Sequence, residues 1–217
     1  MSRPVVIFDL DGTLVDSTKQ IFDAMAYARA ALGLPQVHLE FIEKNLGLPI
    51  GGLIPEKSLS ENDYQQLIEI FRSKLLGLIQ EENLLYPGVL ELLELIHEKS
   101  LDICIATSKP QFLAEAVVLN SQLMGKIAHI QGTDVFPPKP NPEVILRCLG
   151  KVGASTGVMI GDRAEDMQAA KLANIKAIGV TQTAHTSEQL YAAGADDVTG
   201  NFIDSKRLFR KIEALIL

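Results

Sequence analysis

Two acidic residues lie at the end of the first apolar segment of the chain. Val5–Leu10 is a short and almost wholly apolar run in which Asp9 is the next-to-last residue. Asp11 follows the run directly, and the turn-forming pair Gly12-Thr13 comes after it. Residues two apart on an extended segment project to one face, so a divalent cation could be held by both carboxylates. One carboxylate could attack phosphorus while the other transfers protons. The alternative interpretation is an Asx-type turn, which a lone Asp-x-Asp-Gly-Thr run favours.

Hydroxyl and lysine side chains follow later apolar segments. Thr107 and Ser108 end a predicted strand and precede a predicted helix, where a hydroxyl commonly caps the helix and where free N–H groups and the helix dipole favour a phosphate. Lys139 lies in a proline-rich stretch, residues 137–142, that fixes the backbone in an extended form. A rigid loop suits a lysine that directs a point charge at phosphate. The competing interpretations are a helix cap for the hydroxyls and a solvated loop lysine; Lys109 is interpreted as a surface lysine.

A second pair of acidic residues follows another apolar run. Asp162 comes after residues 157–160 through Gly161, and Asp166 lies one helical turn further on. We interpret Asp162 as a metal ligand and Asp166 as an outer support or water-mediated contact, although acids also cap helix N-termini. Oxygen ligands without a His or Cys cluster favour Mg²⁺ over zinc. The histidines are dispersed and are interpreted as structural or surface residues: His38, His97, His129 and His185.

These candidate residues fall at the ends of strands in a predicted alternation of strands and helices. Strands are predicted at 5–10, 102–106, 128–131, 157–160, 177–180 and near 197–198, and helices at 89–97, 110–119, 142–149, 165–173 and 205–215. Short apolar strands alternating with helices predict an α/β fold with a doubly wound parallel sheet. Such sheets bind ligands at the carboxyl ends of their strands, so we expect the polar residues above to meet in one crevice.

Residues 16–84 follow a different pattern. Apolar residues recur there at helical spacing, for example at Ile21, Met25 and Ala28, and no convincing strand interrupts them. The sequence therefore predicts a small all-helical unit, residues 16–84, inserted into an α/β core formed by residues 1–15 and 85–217.

Composition narrows the possible partners and the compartment. The chain has 217 residues, a formal net charge of −7 and a pI near 5.1. Its average field therefore repels nucleic acid and anionic membranes, so we expect neither as a partner, and a phosphate must be bound by one local cluster of donors. Cys104 and Cys148 lack a CxxC spacing and are expected to be buried thiols. No signal peptide or membrane span is predicted, which favours the cytoplasm. The sequence does not indicate an oligomeric state.

The order of these motifs resembles the haloacid dehalogenase superfamily of hydrolases. Its opening motif is matched by residues 8–17, FDLDGTLVDS, and the later motifs by 105–110, IATSKP, by 139–142, KPNP, and by 161–166, GDRAED. The resemblance covers essentially the whole chain. It implies that Asp9 is the nucleophile and Asp11 the acid and base, that Thr107, with Ser108 and Lys139, binds the phosphoryl group, and that Asp9, Asp11 and Asp162 hold Mg²⁺ with support from Asp166.

The resemblance also implies a reaction. It predicts an Mg²⁺-dependent phosphomonoester hydrolase that acts through an aspartyl-phosphate on a small phosphorylated metabolite, with residues 16–84 as a helical cap that selects the leaving group. Within the superfamily the chain looks most like the phosphoglycolate phosphatase group, through residues 86–89, 107–110, 178–181 and 194–196. Phosphoglycolate would need a cationic partner on the cap, and Lys44 is the nearest candidate by sequence, although a solvated helix end is the competing interpretation.

Several alternatives stay open at this point. The dehalogenase branch lacks the second acid of the opening pair, and Asp11 argues against it. A sugar-phosphate mutase similar to β-phosphoglucomutase shares Asp9 and Asp11 and differs mainly in protecting the aspartyl-phosphate from water. A nucleoside 5′-monophosphatase of the same fold would need aromatic surface on the cap, which Phe41, Tyr64 and Phe71 could offer. A catalytically idle regulatory or scaffold protein is the alternative that is not an enzyme.

Overall fold

The computed structural model describes residues 3–56, 59–81, 84–183 and 185–216. Its described residues form a sheet of six parallel strands in the order β3-β2-β1-β4-β5-β6. The strands are β1 (Val5–Phe8), β2 (Asp102–Ala106), β3 (His129–Gln131), β4 (Gly157–Gly161), β5 (Lys176–Val180) and β6 (Asp197–Thr199). The predicted α/β class with a doubly wound parallel sheet is confirmed.

The sheet is central because its middle strands are apolar on both sides. Every residue of β1 is buried, and Ile7 pairs with Cys104 of β2 on one side and with Met159 of β4 on the other. The chain leaves β1 toward β2 and β3 and returns on the opposite side to form β4, so the connections after β1 and β4 diverge. That divergence opens a crevice at the carboxyl ends of these two strands.

Helices cover both faces of the sheet. The helices of the α/β core among the described residues are α4 (Val89–Glu98), α5 (Gln111–Leu119), α6 (Glu143–Val152), α7 (Ala164–Leu172), α8 (Ser187–Ala193) and α9 (Ser205–Ile216). Helices α4, α5 and α9 contribute to one apolar layer, and α6, α7 and α8 contribute to the other. Both cysteines lie buried in the second layer as free thiols, which agrees with the expectation for them.

Helix α8 was not predicted from the sequence. A capping box marks its start: the side chain of Thr186 accepts from the backbone N–H of Gln189, and the Gln189 side chain accepts from the backbone N–H of Thr186. The Thr-x-x-Gln spacing was a usable signal. The helix has only one fully buried apolar residue, Leu190, so it presents almost no apolar periodicity.

The inserted segment is helical in the structure. It contains α1 (Thr18–Ala31), α2 (Leu39–Asn45), a short 3₁₀ turn (Ile50–Leu53) and α3 (Glu61–Glu81), and α1 packs against α3. Its apolar side chains join the same layer as α4, α5 and α9. Two backbone hydrogen bonds join the point where the chain leaves the core to the point where it returns. The Asp16 N–H donates to the Leu84 carbonyl, and the Tyr86 N–H donates to the Leu14 carbonyl.

Candidate active site

Three buried carboxylates meet at the crevice between β1 and β4. Asp9 follows β1, Asp162 follows β4, and Asp166 lies in the first turn of α7. One oxygen from each lies within 4.8 Å of the others. Hard divalent cations such as Mg²⁺ bind through oxygen ligands, so this donor set fits one. Asp166 belongs to the group itself, whereas the sequence interpretation placed it further from the metal.

Lys139 lies against the same carboxylates. Its Nζ is 2.9 Å from Asp9 Oδ1 and 2.5 Å from Asp166 Oδ1, and it donates to the backbone carbonyl of Ala106 at 3.0 Å. Both carboxylate oxygens are at ion-pair distance but not aligned for a hydrogen bond. The side chain is 2% exposed, so Lys139 is not a solvated loop lysine. It places a positive charge beside the carboxylate predicted to be the nucleophile.

Burial controls the pKa values of this group. Burial and the charge of Asp166 raise the pKa of Asp9 to about 6, although the Lys139 ammonium opposes the shift. Burial and the charge of Asp9 raise the pKa of Asp162 to about 6, against hydrogen bonds from Thr13 and Thr183. Burial also raises the pKa of Asp166. For Lys139, burial alone would lower the pKa, but Asp166 and Asp9 raise it above its ordinary value.

These shifts predict that the metal-free protein loses stability as the pH rises from about 4 to about 6. Folded Asp162 keeps its proton up to a pKa of about 6, whereas an Asp in the unfolded chain has a pKa of 3.8, so the folded state binds more protons in this window and stability falls as the pH increases. A difference of about two between the two pKa values corresponds to roughly 3 kcal/mol for one buried group. In Asp162→Asn the contribution of Asp162 to this loss is absent.

Thermal melts in EDTA at several pH values measure this prediction. We expect the difference in Tm, Asp162→Asn minus wild type, to become more positive as the pH rises from 4.5 to 7. A constant difference across that range would contradict the assignment of the burial cost to Asp162.

Asp11 lies outside the three-carboxylate group. Both of its oxygens accept from Lys109 Nζ, at 2.8 and 3.0 Å, and both side chains are buried. The interpretation of Lys109 as a surface lysine was wrong, and the structure gives no support to the Asp11 carboxylate as a fourth member of the metal group. The Thr-x-Lys-Pro run of residues 107–110 was the signal that could have identified Lys109, because it places the lysine three residues beyond the end of β2.

The start of α5 differs from the predicted phosphate site. The helix begins at Gln111, whose N–H donates to the Asp134 carboxylate at 2.7 Å, so that N–H is already used. Thr107 is not the helix cap; its Oγ1 accepts from the N–H of Lys109 at 3.2 Å. Thr107 and Ser108 are buried beside the crevice. Their role in binding phosphate stays a prediction, and neither of them is the N-cap of α5.

Residues that sequence reasoning missed hold Asp162 in place. Thr13 Oγ1 donates to Asp162 Oδ1 at 2.6 Å, and the Thr183 hydroxyl donates to Oδ2. Gln182 donates to the backbone carbonyls of Gly12 and Thr13 at 3.0 and 2.8 Å. Gly12 has φ +82°, and a Cβ there would lie 2.8 Å from Asp162 Oδ2, so this turn requires glycine. These contacts join the loops after β1, β4 and β5.

A cavity lies between the helical segment and the core, with Asp11 in its wall. Its remaining lining residues are Ile21, Gly47, Leu48, Ile50, Leu53, Phe71, Arg72, Leu75, Ser108, Lys109, Pro110 and Leu113. Lys44 does not line it; this lysine is exposed and borders a different groove with Asp16 and Tyr86. The cationic residue that the helical segment contributes to the cavity is Arg72, whereas Lys44 lies outside this cavity.

Arg163 joins the core to the helical segment at the edge of this cavity. One guanidinium nitrogen donates to the Leu46 carbonyl at 2.7 Å, and Nε lies 3.2 Å from Glu165 Oε2. Gly47 has φ +82°, and a Cβ there would lie 2.9 Å from Arg163 Cδ. The loop after α2 is therefore held close to the residue that follows Asp162.

Among the described residues, no helix has the length and apolar character needed to cross a membrane.

Comparisons with known proteins agree with this architecture. A family model described as "Haloacid dehalogenase-like hydrolase" matches residues 6–180. The chain is 35% identical over 210 residues to "Probable phosphatase IndB" of Dickeya dadantii, covering 92% of this chain and 90% of that protein. It is 30% identical over 187 residues to a phosphoglycolate phosphatase of Agrobacterium fabrum, covering 82% and 80%. A hydrolase structure from Pseudomonas syringae superposes with a TM-score of 0.80 at 30% identity, covering 97% and 99%.

Proposed function

Because the chain belongs to the haloacid dehalogenase-like hydrolase family and is a phosphatase, we propose that it hydrolyses a small phosphate monoester through an aspartyl-phosphate on Asp9. The observation that carries this proposal is the ion pair between Asp9 and Lys139 within a group that also contains Asp162 and Asp166. A carboxylate nucleophile, a phosphate-neutralising cation and a donor set for a divalent metal lie together at the carboxyl ends of β1 and β4.

The proposed course uses this chain's residues as follows. An Asp9 oxygen forms a bond to phosphorus as the ester P–O bond breaks, and Asp11 protonates the leaving alkoxide. Asp11 then takes a proton from the water that attacks the aspartyl-phosphate, which releases inorganic phosphate and regenerates Asp9. Lys139 balances the negative charge on the transferred group, and Thr107 and Ser108 bind its oxygens.

The metal proposed for this site is Mg²⁺, held by Asp9, Asp162 and Asp166. When bound, it would supply positive charge that orients the phosphoryl group and offsets the repulsion between phosphate and Asp9. The hydroxyls of Thr13 and Thr183 fix the orientation of Asp162 for this role.

We assign residues 16–84 as the cap of this enzyme. The cavity described above is enclosed by cap residues on one side and by Asp11, Ser108 and Lys109 on the other, so a leaving group released toward Asp11 would contact the cap. A closed cap excludes water from the reacting groups. The cytoplasm is the proposed compartment, on the sequence argument alone.

Phosphoglycolate is the candidate substrate, supported by the relative named phosphoglycolate phosphatase in Agrobacterium fabrum. The nucleoside 5′-monophosphatase alternative loses support because Phe41 and Tyr64 pack against the apolar layer and do not line the cavity. Phe71 does line the cavity, but it is almost fully buried.

The test is turnover of a panel of esters with Mg²⁺: p-nitrophenyl phosphate, phosphoglycolate and a nucleoside 5′-monophosphate, with kcat/KM for each. We expect phosphatase activity on the generic ester and preference for phosphoglycolate over the nucleotide. Failure to turn over any ester would contradict the phosphatase proposal. Activity that depends on a sugar bisphosphate primer would support the mutase instead.

A further inference from the structure

Arg72 is a cap residue whose guanidinium has a buried, unpartnered nitrogen beside the proposed active site. It lies on α3 and lines the cavity that contains Asp11. Its Nε is buried and makes no hydrogen bond, and Arg72 forms no ion pair with any residue in the described part of the chain. A buried polar group without a partner is costly, and a charged one more so.

The buried cations of the described chain, each no more than 7% exposed, provide the comparison. Lys109 is bound to Asp11, Lys139 to Asp9 and Asp166, Arg163 to Glu165 and the Leu46 carbonyl, and Arg29 to Glu56 and the Pro35 carbonyl. Each of these four has an acidic partner inside the protein. Arg72 is partly exposed. It differs from these four because its buried Nε has no partner among the described residues and its side chain lines the cavity.

The rest of the cap wall is apolar. Its residues in this cavity, apart from Gly47 and Arg72, are Ile21, Leu48, Ile50, Leu53, Phe71 and Leu75. If the leaving group carried many hydroxyls, these hydroxyls would face the apolar side chains of the cap wall and would find no hydrogen-bond partners there. A short carbon body that ends in an anion would match both parts of the wall, because the body contacts the apolar side chains and the anion pairs with the guanidinium.

We propose that Arg72 is a specificity-determining residue that binds a carboxylate on the leaving group. The substrate class is then a phosphate monoester of a small hydroxy acid, with phosphate at Asp9 and carboxylate at Arg72. The planar guanidinium binds a carboxylate through two parallel N–H donors, which lysine does not provide. This inference rests on the proposed phosphatase function and replaces Lys44 as the cap's anion-binding residue.

The test measures a selectivity ratio: kcat/KM for phosphoglycolate divided by kcat/KM for ethyl phosphate, which has the same carbon count and a neutral leaving group. We expect the wild type to prefer phosphoglycolate and Arg72→Gln to lower the ratio about 10- to 100-fold, the range expected for one hydrogen-bonded charge pair. Arg72→Lys should keep part of the preference, since it keeps the charge without the paired donors. A phosphate ester with a second phosphate in place of the carboxylate tests whether any anion suffices.

The matched control is Lys74→Gln, which removes one positive charge from the same helix at a residue outside the cavity. It should leave the ratio unchanged. The inference is overturned if the wild type shows no preference for the anionic ester, if Arg72→Gln lowers both esters equally, or if a bisphosphorylated ester is preferred to phosphoglycolate. A wild-type ratio near one overturns the inference even if an Arg72 variant does not fold, and Arg72→Lys provides a second variant if Arg72→Gln does not fold. If the wild type turned over no ester, including p-nitrophenyl phosphate, the phosphatase proposal itself would be contradicted.

Discussion

Asp9→Asn is expected to abolish phosphatase turnover, with a loss on the order of 10⁴-fold or more, as for removal of a covalent nucleophile. The amide has the shape of the carboxylate but lacks the negatively charged oxygen that attacks phosphorus. Folding should survive the change, because Lys139 keeps its ion pair with Asp166 and its hydrogen bond to the Ala106 carbonyl. The burial that raises the pKa of Asp9 also makes its charged form costly, so the metal-free variant should be at least as stable as the wild type near pH 7.

The measurement is kcat for p-nitrophenyl phosphate and phosphoglycolate, with thermal melts of both proteins in EDTA. Asp16→Asn is the matched control, since this acid belongs to the same sequence motif but is exposed and only accepts from the Thr18 N–H, which an asparagine oxygen also does. It should retain wild-type turnover. Residual activity of Asp9→Asn above about one per cent in a preparation free of other phosphatases would rule out covalent catalysis by this residue.

The sheet could be predicted from the sequence because its signal is local. Short apolar runs such as Asp102–Ala106 are buried on both faces, so composition alone marks them, and β2 begins and ends where the sequence predicted. The strand end after β1 was harder to place: the strand stops at Phe8, and Leu10 is buried in a turn instead. An apolar run in a sequence indicates which residues are buried. The residues after β1 are still buried although they no longer pair with a neighbouring strand, so the run extends beyond the end of the strand.

The polar partners of the site could not be predicted in the same way. Lys109 was interpreted from the sequence as a surface lysine, and no role was predicted for Arg72. Only the folded chain brings Lys109 to Asp11 and Arg72 to the cavity. The positions of Asp9, Asp162 and Lys139 followed from the rule that strand ends converge. Which of these side chains form ion pairs depends on their distances in the folded chain. The position of Lys139 between the carboxylates of Asp9 and Asp166 could not be read from the spacing of these residues in the sequence.

Removal of divalent metal is expected to abolish activity, and Mg²⁺ to restore it. Two observations support this expectation: the carboxylates of Asp9, Asp162 and Asp166 meet within 4.8 Å, and burial raises the pKa of each. Lys139 supplies one positive charge for three acids, so a divalent cation would balance the group. Asp162→Asn should raise the Mg²⁺ concentration for half-maximal activity at least about tenfold, because it removes one ligand charge.

A melt with and without Mg²⁺ provides a second readout that does not depend on turnover. Mg²⁺ should raise the Tm of the wild type by mass action and raise that of Asp162→Asn less at the same concentration. Glu165→Gln is the control, because this acid lies in the same turn of α7 but outside the three-carboxylate group and should respond to Mg²⁺ as the wild type does. Full activity in a chelator would contradict metal dependence. Full restoration by Zn²⁺ alone would contradict the choice of Mg²⁺, since an all-oxygen donor set favours the harder cation.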